Sequence, residues 1–444
     1  MIIANDCLMP RHGNGAPCES QSRVRAAGGT GGTMPRGLVP WRIVCIVTLR
    51  HGRACVPLSE DVATEEDAED VWEIDAEAAL RLAGSGRTLD GSVVVARCRG
   101  RPGRGGEVGI GPPAGRGGGV VADDRTGVDE TLRLLDLLGR HNAANVVAEA
   151  IPSDPKGDGE PAISFIERAL RRGMHVCSAN KGPLAHRNED LGEETYWKLQ
   201  RCARDNGVSY QHESSVMDGV PLFSLWKHAM PHAKLTSIRG CLNGTTTVIL
   251  SRMEGDCFEG GGGGGGGEEF HEALEAARRM GIVETDESLD VDGYDAAAKL
   301  RALLVVLSSS PSGGGGGAVV VPTMDEIPRD TIRGVTRDDL RRAYADGRRR
   351  YRLVATAKLL ADDDDVSSSS SSSVGTRRCR WEACVRLELL PPSDPLYNLT
   401  GTDSSVRFGT DVLGPVTVVS SSPTLVDTAY GLFSDIVRAA SEQI

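Results

Sequence analysis

Residues 281–299 bring together the residue types that proton-transfer chemistry uses. Six carboxylates lie between positions 284 and 295, and Lys299 is the only basic residue of the segment. If a helix begins after Gly293, Asp295 and Lys299 are four residues apart and lie on one helical face. The carboxylate orients the amine, and burial is expected to lower the pKa of Lys299 towards neutrality. The segment therefore predicts a lysine placed for proton transfer, with Glu284 available to hold a substrate ammonium group.

An alternative is an acidic loop followed by a surface helix, in which Asp295 and Lys299 form an ordinary ion pair worth about 0.3–0.5 kcal/mol. Taken alone, the segment favours this alternative. Motifs elsewhere in the chain reverse the preference.

Length and charge limit the class of protein. A chain of 444 residues is long enough for two or three domains with hydrophobic cores. It carries 62 acidic and 50 basic residues, and no basic stripe with interleaved aromatic residues, so nucleic acid is not an expected partner. No apolar run approaches the ~20 residues that a membrane helix needs, so no membrane association is expected.

The eleven cysteines are odd in number, scattered and without a CxxC pair. This pattern argues against a disulfide scaffold or a zinc site and for a reducing compartment. We therefore expect a soluble intracellular protein of the cytoplasm or a plastid. Residues 1–40, rich in Gly, Arg and Pro, predict a disordered leader, with an organelle transit peptide as the weaker alternative.

The elements that must position Asp295 and Lys299 follow from hydrophobic patterning. Between about 41 and 185, apolar strands alternate with amphipathic helices, which predicts a parallel α/β sheet. A helix over Ile163–Leu170 should end at Gly173. The predicted strands of this part are Arg42–Val47, Ser92–Ala96, Asn145–Ala150 and His175–Ser178.

Helices dominate from about 186 to 330, and strand-like runs from 350 to 420 predict an antiparallel or mixed sheet. An amphipathic helix follows over Asp427–Ala440. Low-complexity tracts at 260–267, 313–317 and 362–373 are predicted to be flexible surface insertions. The predicted strands of the second sheet are Tyr351–Lys358, Trp381–Leu389, Ser405–Phe408 and Pro415–Val419.

Four further motifs accompany the acidic segment. They are Cys177–Ala185 (CSANKGPLA), Glu213–Pro221 (ESSVMDGVP), Gly240–Thr246 (GCLNGTT), and Gly401–Asp403 continued by Thr428–Gly431. Each alone could be an ordinary turn. Together with residues 281–299 they follow the order typical of homoserine dehydrogenases, and over roughly 143–440 the sequence resembles that family.

The resemblance implies a role for each residue of a substrate site. Lys299 would donate a proton to the carbonyl oxygen and accept it in the reverse direction, and Asp295 would orient Lys299 and contact the substrate. Glu284 would accept the substrate ammonium group, with Asp290 beside it. The other substrate-binding residues would be Gly244 and Thr245.

The resemblance also implies sites for a cofactor and a cation. Lys181, Gly281 and Glu284 would border the nicotinamide end of the cofactor, and Thr424 takes a position where the family has a glycine against it. Sodium or potassium would be held by oxygen ligands, as suits a monovalent cation rather than a transition metal. The predicted cation loop comprises Glu213, Val216, Asp218 and Val220.

The amino-terminal phosphate-binding turn departs from the family pattern. Val47 and Leu49 stand where the first two glycines of a GxGxxG turn belong, and only the last glycine, Gly52, is kept as a cofactor-binding residue. The Cβ atoms of Val47 and Leu49 should hinder close approach of the phosphates.

Cofactor preference is read from the segment after the strand Ser92–Ala96. Arg97, Arg99 and Arg101 follow this strand, and no acid is present to receive a ribose 2′-hydroxyl. An arginine cluster suits a 2′-phosphate, which favours NADP over NAD. A solvated basic turn is the alternative.

The resemblance implies an α/β fold with two parts. A Rossmann-type nucleotide-binding domain would cover 41–185 and be closed by a carboxyl-terminal helix at 425–444, and an α+β catalytic and dimerisation domain with a mixed sheet would cover 186–424. A homodimer without a kinase or regulatory domain is expected.

The implied activity is the NADP- or NAD-dependent interconversion of L-aspartate 4-semialdehyde and L-homoserine, a step of threonine, methionine and isoleucine biosynthesis. Two alternatives stay open. One is a catalytically weak homologue that acts as a binding or subunit partner, and the other is a related dehydrogenase of a different amino acid.

Overall fold

The structure is a computed structural model. It describes residues 45–48, 52–55, 72–74, 96–98, six positions between 128 and 139, 146–151, 158–188, 192–255, 267–284, 286–308, 319–361 and 379–441. The predicted leader at 1–40, the insertions at 313–317 and 362–373, and all but the last residue of the insertion at 260–267 lie outside these residues.

Two pairs of short antiparallel strands occur where the first strands of the parallel sheet were expected. β1 (Cys45–Thr48) pairs antiparallel with β2 (Gly52–Cys55), and β3 (Trp72–Ile74) pairs antiparallel with β4 (Ala96–Cys98). Three residues join β1 to β2, which is too short for the crossover that parallel strands need. The expectation that the strand at Arg42–Val47 belongs to the parallel sheet is therefore wrong for its described residues, and the cofactor contact of Gly52 stays a prediction.

The expected parallel sheet is present further along the chain. Its order is β5–β6–β9, and the predicted strands at 145–150 and 175–178 are confirmed. The predicted helix is confirmed as well, since α1 (Ala162–Arg171) lies between β5 and β6 and Gly173 follows with a φ of 72°. The strands of this part are β5 (Val146–Glu149), β6 (His175–Ser178), β7 (Arg187–Asn188), β8 (Glu193–Glu194) and β9 (Tyr210–Gln211).

A six-stranded mixed sheet forms the second part. Its order is β11–β13–β12–β10–β14–β15, with antiparallel pairing except between β11 and β13. The four strands predicted between 350 and 420 are confirmed. The strands are β10 (Leu235–Cys241), β11 (Val319–Val320), β12 (Arg350–Ala361), β13 (Cys379–Leu390), β14 (Ser404–Thr410) and β15 (Val416–Ser420).

The remaining helices cover these sheets and connect them. Within the described residues, every helix is too short or too polar to cross a membrane. The helices after α1 are α2 (Gly182–Ala185), α3 (Thr195–Asp205), α4 (Leu222–Ser224), α5 (Gly244–Glu254), α6 (Phe270–Arg279), α7 (Ser288–Val291), α8 (Tyr294–Ser308), α9 (Arg337–Ala345) and α10 (Leu425–Ser441).

Helix α8 passes through the hydrophobic core. Leu300, Leu303 and Leu304 are fully buried, and so are Ala297 and Ala302 on other sides of the same helix. A helix that is apolar on nearly all sides is stable only when neighbours cover it. This burial excludes the surface-helix alternative for the segment that carries Asp295 and Lys299.

Helix α10 packs against the parallel sheet. Leu432, Ile436 and Ala439 form a buried cluster with Ala148 of β5 and Cys177 of β6. The carboxyl-terminal helix thereby returns to the first half of the chain, where the sequence places the closing helix of the nucleotide-binding domain.

Candidate active site

The acidic segment and α8 place Asp295 and Lys299 as predicted. Gly293 precedes the helix with a φ of 75°, a backbone conformation that residues with a Cβ atom disfavour. Asp295 lies in the first turn, where the helix dipole stabilises a carboxylate. Lys299 Nζ is 2.9 Å from Asp295 Oδ2, and the Asp295 side chain is 3% exposed. The two groups form a buried ion pair along one helical face.

A second lysine shares the same carboxylate. Lys181 Nζ lies 3.0 Å from Asp295 Oδ1 and 3.5 Å from Glu284 Oε1. The Lys181 side chain is 10% exposed and comes from the turn that follows β6. The resemblance assigned Lys181 to the cofactor, and the structure brings it into the acidic cluster, so that Asp295 lies between two ammonium groups.

The turn that carries Lys181 is fixed by hydrogen bonds to the parallel sheet. Ser178 Oγ donates to Glu149 Oε2 over 2.5 Å, and the Asn180 N–H donates to Ser178 Oγ over 3.0 Å. Asn180 Oδ1 in turn accepts the Gly182 N–H at the start of α2 over 2.9 Å. Burial raises the pKa of Glu149 despite the hydroxyl donated by Ser178. These contacts hold Lys181 in position relative to the ends of β5 and β6.

Asn243 connects the two acids of the cluster. Its side-chain amide Nδ2 donates to Asp290 Oδ1 over 2.8 Å and to Asp295 Oδ2 over 2.8 Å. The other oxygen of Asp290 accepts the Glu284 N–H over 3.0 Å, which anchors the loop that carries Glu284. The amide therefore fixes the carboxylates of Asp290 and Asp295, and Asp290 in turn fixes the backbone of Glu284.

The charges in the cluster are strongly coupled. Burial alone would raise the pKa of Asp295, but the positive charges of Lys181 and Lys299 outweigh it and hold that pKa well below its usual range. Burial alone would lower the pKa of Lys299, but the charge of Asp295 outweighs it and raises that pKa above its usual value. The expected shift of Lys299 towards neutrality is thus wrong, because the carboxylate lies close enough to dominate. Lys299 carries its proton at neutral pH, which suits a proton donor.

Asp290 is in the opposite situation. Burial and the neighbouring charge of Asp295 raise the pKa of Asp290 to about 6, and the donors from Glu284 and Asn243 offset only part of this. Two carboxylates of one site therefore have pKa values on opposite sides of their usual value. Such divergence is characteristic of acid–base sites, although structural networks produce it too.

The turn before α5 carries the predicted substrate residues. Asn243 caps α5 by accepting the Thr246 N–H over 2.7 Å, and Thr245 Oγ1 donates to the Ile282 carbonyl over 2.9 Å. A Cβ on Gly244 would lie 2.9 Å from the Thr402 carbonyl oxygen, so the close approach of these two turns needs glycine. Lys299 Nζ also donates to the Leu242 carbonyl over 3.1 Å. The structure thus brings the Gly240–Thr246 turn against Lys299, and the Gly401–Asp403 turn against Gly244.

Gly281 and Thr424 lie at helix ends near this region. Gly281 follows α6 with a φ of 72°, and apart from its two chain neighbours no described residue has an atom within 4 Å of where its Cβ would be. Thr424 is exposed immediately before α10, and its N–H and hydroxyl both donate to Asp427 Oδ2 over 2.8 Å. Both positions leave open space for a ligand, and their contact with a cofactor stays a prediction.

The predicted cation loop lies between α10 and the start of α4. Glu213 is buried, and its carboxylate accepts the N–H groups of Phe223 and Ser224 over 2.8 Å and 3.0 Å. Met217, Asp218 and Gly219 have consecutive positive φ angles of 57°, 55° and 83°.

One of the carbonyl oxygens of this loop already accepts a hydrogen bond from the backbone. The Val220 carbonyl accepts the Leu222 N–H over 2.7 Å, whereas the structure assigns no donor to the Val216 or Asp218 carbonyl oxygen among the described residues. The loop geometry therefore offers backbone oxygens, and cation binding stays a prediction.

Asn243 and the Leu242 carbonyl were missed as functional groups by sequence reasoning. The sequence placed both inside a motif but assigned roles only to the following Gly244 and Thr245. The useful signal was an asparagine at the N-cap of a helix, two residues after a buried strand. That signal predicts that Asn243 caps the helix, but it does not predict which groups accept hydrogen bonds from its side-chain amide.

Comparison with known proteins agrees with this geometry. The family model described as homoserine dehydrogenase matches residues 221–437, which include Asn243, Asp295 and Lys299. The NAD(+)-dependent homoserine dehydrogenase of Pseudomonas canavaninivorans is 32% identical over 295 residues, which cover 66% of this chain and 70% of that protein. The homoserine dehydrogenase of Methanocaldococcus jannaschii is 32% identical over 296 residues, which cover 66% of this chain and 72% of that protein.

A solved structure supports the fold class. The crystal structure of a homoserine dehydrogenase from Thiobacillus denitrificans has a TM-score of 0.51 and 23% identity, over 68% of this chain and 58% of that chain. This likeness confirms an α/β fold with a Rossmann-type part and an α+β catalytic part. On the sequence matches, the buried Lys299–Asp295 pair and the fold, the chain belongs to the homoserine dehydrogenase family.

Proposed function

We propose that this chain interconverts L-aspartate 4-semialdehyde and L-homoserine with a nicotinamide cofactor, as a step of threonine, methionine and isoleucine biosynthesis. The observation that carries the proposal is the buried carboxylate of Asp295, which lies 2.9 Å from Lys299 Nζ and 3.0 Å from Lys181 Nζ. The family match gives no support to the alternatives of a non-catalytic partner or a different amino-acid substrate.

Lys299 acts as the acid in aldehyde reduction. The bound cofactor supplies a hydride to the terminal carbon of the substrate. Lys299 donates its proton to the carbonyl oxygen, which becomes the hydroxyl of homoserine, and it recovers the proton in the reverse direction. Asp295 keeps Lys299 charged before transfer and accepts hydrogen bonds from it throughout, so the amine cannot rotate away from the substrate.

Glu284 and Asp290 receive the amino-acid end of the substrate. The Glu284 side chain is 37% exposed, in contrast to the buried Asp295, so it is accessible to an incoming ammonium group. Asp290 holds the Glu284 backbone and adds negative potential at the same point. Gly244 and Thr245 shape the opposite wall through their contacts with Thr402 and Ile282. A zwitterionic four-carbon substrate fits this combination of charges.

The described residues fit a dinucleotide at the carboxyl ends of the parallel strands. Ligands of open α/β sheets bind at this edge, where the turn with Lys181 follows β6. Thr424 is exposed at the start of α10 and Gly281 has open space on the side where a Cβ would be, which supports their assignment to the cofactor. These residues would hold the nicotinamide half, and the phosphate half would be bound by the amino-terminal part, including Gly52.

We infer NADP as the preferred form of the cofactor, with NAD as the competing outcome. The arginines at 97, 99 and 101 support NADP because guanidinium groups suit a 2′-phosphate. Arg97 lies in β4, and Arg99 and Arg101 lie outside the described residues. The relative from Pseudomonas is named as NAD(+)-dependent, which supports the opposite preference. The ratio of kcat/KM for NADPH and NADH decides between them.

We also propose that sodium or potassium binds to the loop of Glu213, Val216, Asp218 and Val220. The consecutive positive φ angles support this because they turn backbone carbonyl oxygens away from regular pairing. Since Phe223 and Ser224 already donate to Glu213, the carbonyl oxygens would be the main ligands. Thermal unfolding in potassium chloride and in choline chloride at equal ionic strength tests the site, and equal midpoints would exclude it.

A homodimer built through the mixed sheet completes the proposal. Val412, Leu413 and Val419 are 69%, 48% and 51% exposed at the β14–β15 end of that sheet, which supports a covered surface in the assembly. Cys202, Cys241, Cys379 and Cys384 are not joined in disulfides, which supports a reducing compartment such as the cytoplasm or a plastid. Light scattering after gel filtration and the location of a fluorescent fusion test these two points.

The decisive experiment is turnover of the whole chain and of its Lys299→Ala variant. Homoserine oxidation is followed by the absorbance of the reduced cofactor, and cofactor binding is followed by its fluorescence. We expect turnover in the wild type and none in the variant, with cofactor binding retained in both. A wild type that binds the cofactor and leaves homoserine unchanged, or a variant with near-normal turnover, contradicts the proposal.

A further inference from the structure

Asn243 has an unusual pair of acceptors. An asparagine side chain offers two N–H hydrogens, and both acceptors of Asn243 Nδ2 are buried carboxylates, at 2.8 Å in each case. Asn243 itself is 4% exposed, Asp290 is 2% exposed and Asp295 is 2% exposed. A neutral donor therefore separates two buried acids that would otherwise face one another directly.

The orientation of this amide is fixed from the opposite side. Asn243 Oδ1 accepts the Thr246 N–H over 2.7 Å, which places the oxygen at the start of α5 and the nitrogen towards the acids. The Asn243 backbone carbonyl accepts the hydroxyls of Thr246 and Thr247 over 3.0 Å and 3.2 Å. The carbonyl of the preceding residue, Leu242, accepts a hydrogen bond from Lys299 Nζ. A flipped amide would bring its N–H groups against the Thr246 N–H and its oxygen against two carboxylates, so only one orientation is stable.

The two acids differ in their cationic partners. Asp295 Oδ1 faces Lys181, and its Oδ2 faces Lys299 and Asn243. Among the described residues, Asp290 accepts from Asn243 and the Glu284 backbone, both neutral donors. Rotation of the Asp295 carboxylate would exchange its oxygens and break one lysine contact. The hydrogen bond from Asn243 opposes this rotation because it fixes Oδ2 from a second direction.

We propose that Asn243 is a positioning residue of the reaction: its amide holds the Asp295 carboxylate so that each oxygen serves one lysine, and through Asp290 it fixes the Glu284 loop to the same point. The inference rests on the proposed function for its kinetic consequence. Asn243 acts through Asp295 and Asp290 and does not touch the reacting atoms. A rigid helix N-cap thereby sets the distance between the proton donor and the acid that receives the substrate ammonium group.

The variant Asn243→Asp separates this role from helix capping. Aspartate caps a helix as well as asparagine does, so the bond to the Thr246 N–H is kept. The donor to Asp290 and Asp295 is lost. We expect kcat to fall about 100-fold, because a small displacement of a catalytic group has effects of this size, while the fold is retained. Asn243→Ser, which also caps but adds no charge, should show a fall in the same direction.

The matched control is Thr336→Ala. Thr336 caps α9 by accepting the Asp339 N–H, and this cap is exposed and belongs to a helix outside the acidic cluster. Its loss should lower the free energy of unfolding by about 1 kcal/mol and leave kcat unchanged. If both Asn243 variants keep kcat within about threefold of the wild type, the proposed positioning role is wrong.

A second readout does not depend on turnover. The titration of the coupled Asp290–Asp295 pair can be followed by carboxyl carbon NMR of aspartate-labelled protein, with Asp290→Asn for assignment. The charged groups that face this pair are Lys181, Lys299 and Glu284, and the charge of Asp218 acts on Lys299. In Asn243→Ser the pKa of Asp290 should rise further, since a donor to its charged form is gone.

The two readouts separate the failure of the inference from the failure of the proposed function. Loss of homoserine turnover in the wild type would refute the function and leave the NMR test intact. An unchanged titration in both Asn243 variants would refute the positioning role whatever the substrate is.

Discussion

Lys181 Nζ and Asp295 Oδ1 lie 3.0 Å apart, although the first residue follows a strand of the parallel sheet and the second begins a helix of the catalytic part. The contact places a charge from the nucleotide side of the molecule on the carboxylate that controls Lys299. Because both side chains are largely buried, water screens this interaction weakly. The state of Lys299 therefore depends on the relative position of the two parts of the chain.

Replacement of Lys181 by methionine tests this dependence. The variant keeps the length of the side chain and removes one of the two cations on Asp295, so the pKa of Asp295 should rise. We expect kcat to fall about 100-fold, the effect typical of losing one electrostatic contact in an active site. Lys198→Met is the control, since it removes an ion pair of similar geometry, 2.7 Å from Glu167, outside the cluster. Equal kcat values for the two variants would contradict the shared-carboxylate model.

Replacement of Asp295 by asparagine should move the pH range of aldehyde reduction. In the wild type the charge of Asp295 keeps the pKa of Lys299 above its usual value despite burial. Without that charge, burial lowers the pKa of Lys299, so the ammonium form is lost as pH rises through the new, lower value. Reduction by Asp295→Asn should therefore decline at a lower pH than reduction by the wild type, as measured by kcat against pH. A variant whose basic limb coincides with that of the wild type would show that Lys299 is not the acid.

The pKa of Asp290 predicts a pH dependence of stability. The folded-state pKa of about 6 lies above the ordinary aspartate pKa of 3.8, so between these values the folded state binds more protons than the unfolded state. The contribution of Asp290 to the free energy of unfolding is then present below pH 3.8 and is lost as pH rises through about 6. The shift corresponds to a total of about 3 kcal/mol.

Urea unfolding of the wild type and of Asp290→Asn measures this contribution. The free energy of unfolding of the variant relative to that of the wild type should increase by about 2 kcal/mol from pH 4 to pH 7, which is most of the total. Other buried acids such as Asp435 and Glu149 titrate in both proteins and cancel in the difference. A constant difference across this range would exclude a raised pKa at Asp290.

Local patterns allowed much of the fold and part of the site to be predicted. The strands at 145–150 and 350–420 follow from alternation and apolar runs, and the Asp295–Lys299 pair follows from helical spacing alone. The hairpin of Val47 and Gly52 was not predicted because strand patterning does not specify the direction of pairing. The raised pKa of Lys299 was missed because two opposing effects, burial and a near charge, are resolved only by distance.

Contacts between distant segments were the least predictable part. The partners of Asn243 lie 47 and 52 positions away along the chain. Lys181 and Glu284 are separated by 103 positions. A turn motif in the sequence predicts the backbone conformation of such residues, but it does not predict which distant residues their side chains contact. For the same reason Arg301, an ordinary charged residue in the sequence, gave no signal of its buried contacts.

Arg301 holds the Lys181 turn against the catalytic helix. It lies on α8, two residues after Lys299, and is 1% exposed. Its guanidinium donates to both Glu194 oxygens over 2.8 Å and 3.0 Å, to the Pro322 carbonyl over 2.9 Å, and to the Ala185 carbonyl at the end of α2. Since Lys181 directly precedes α2, these hydrogen bonds determine the position of the Lys181 ammonium group relative to the Asp295 carboxylate.

Arg301→Met should therefore lower both stability and turnover. Removal of the guanidinium leaves the Pro322 and Ala185 carbonyl groups without this donor and leaves Glu194 with the more distant Arg187 at 3.4 Å, which costs about 3–5 kcal/mol in the free energy of unfolding. Arg341→Ala is the control, because its ion pair with Asp338 is exposed and contributes at most about 1 kcal/mol. Urea unfolding measures the first effect, and kcat at a temperature where both variants are fully folded measures the second. If folded Arg301→Met turns over as fast as Arg341→Ala, Arg301 stabilises the fold without positioning Lys181, and the two halves of the site are held together by the lysine–carboxylate contact alone.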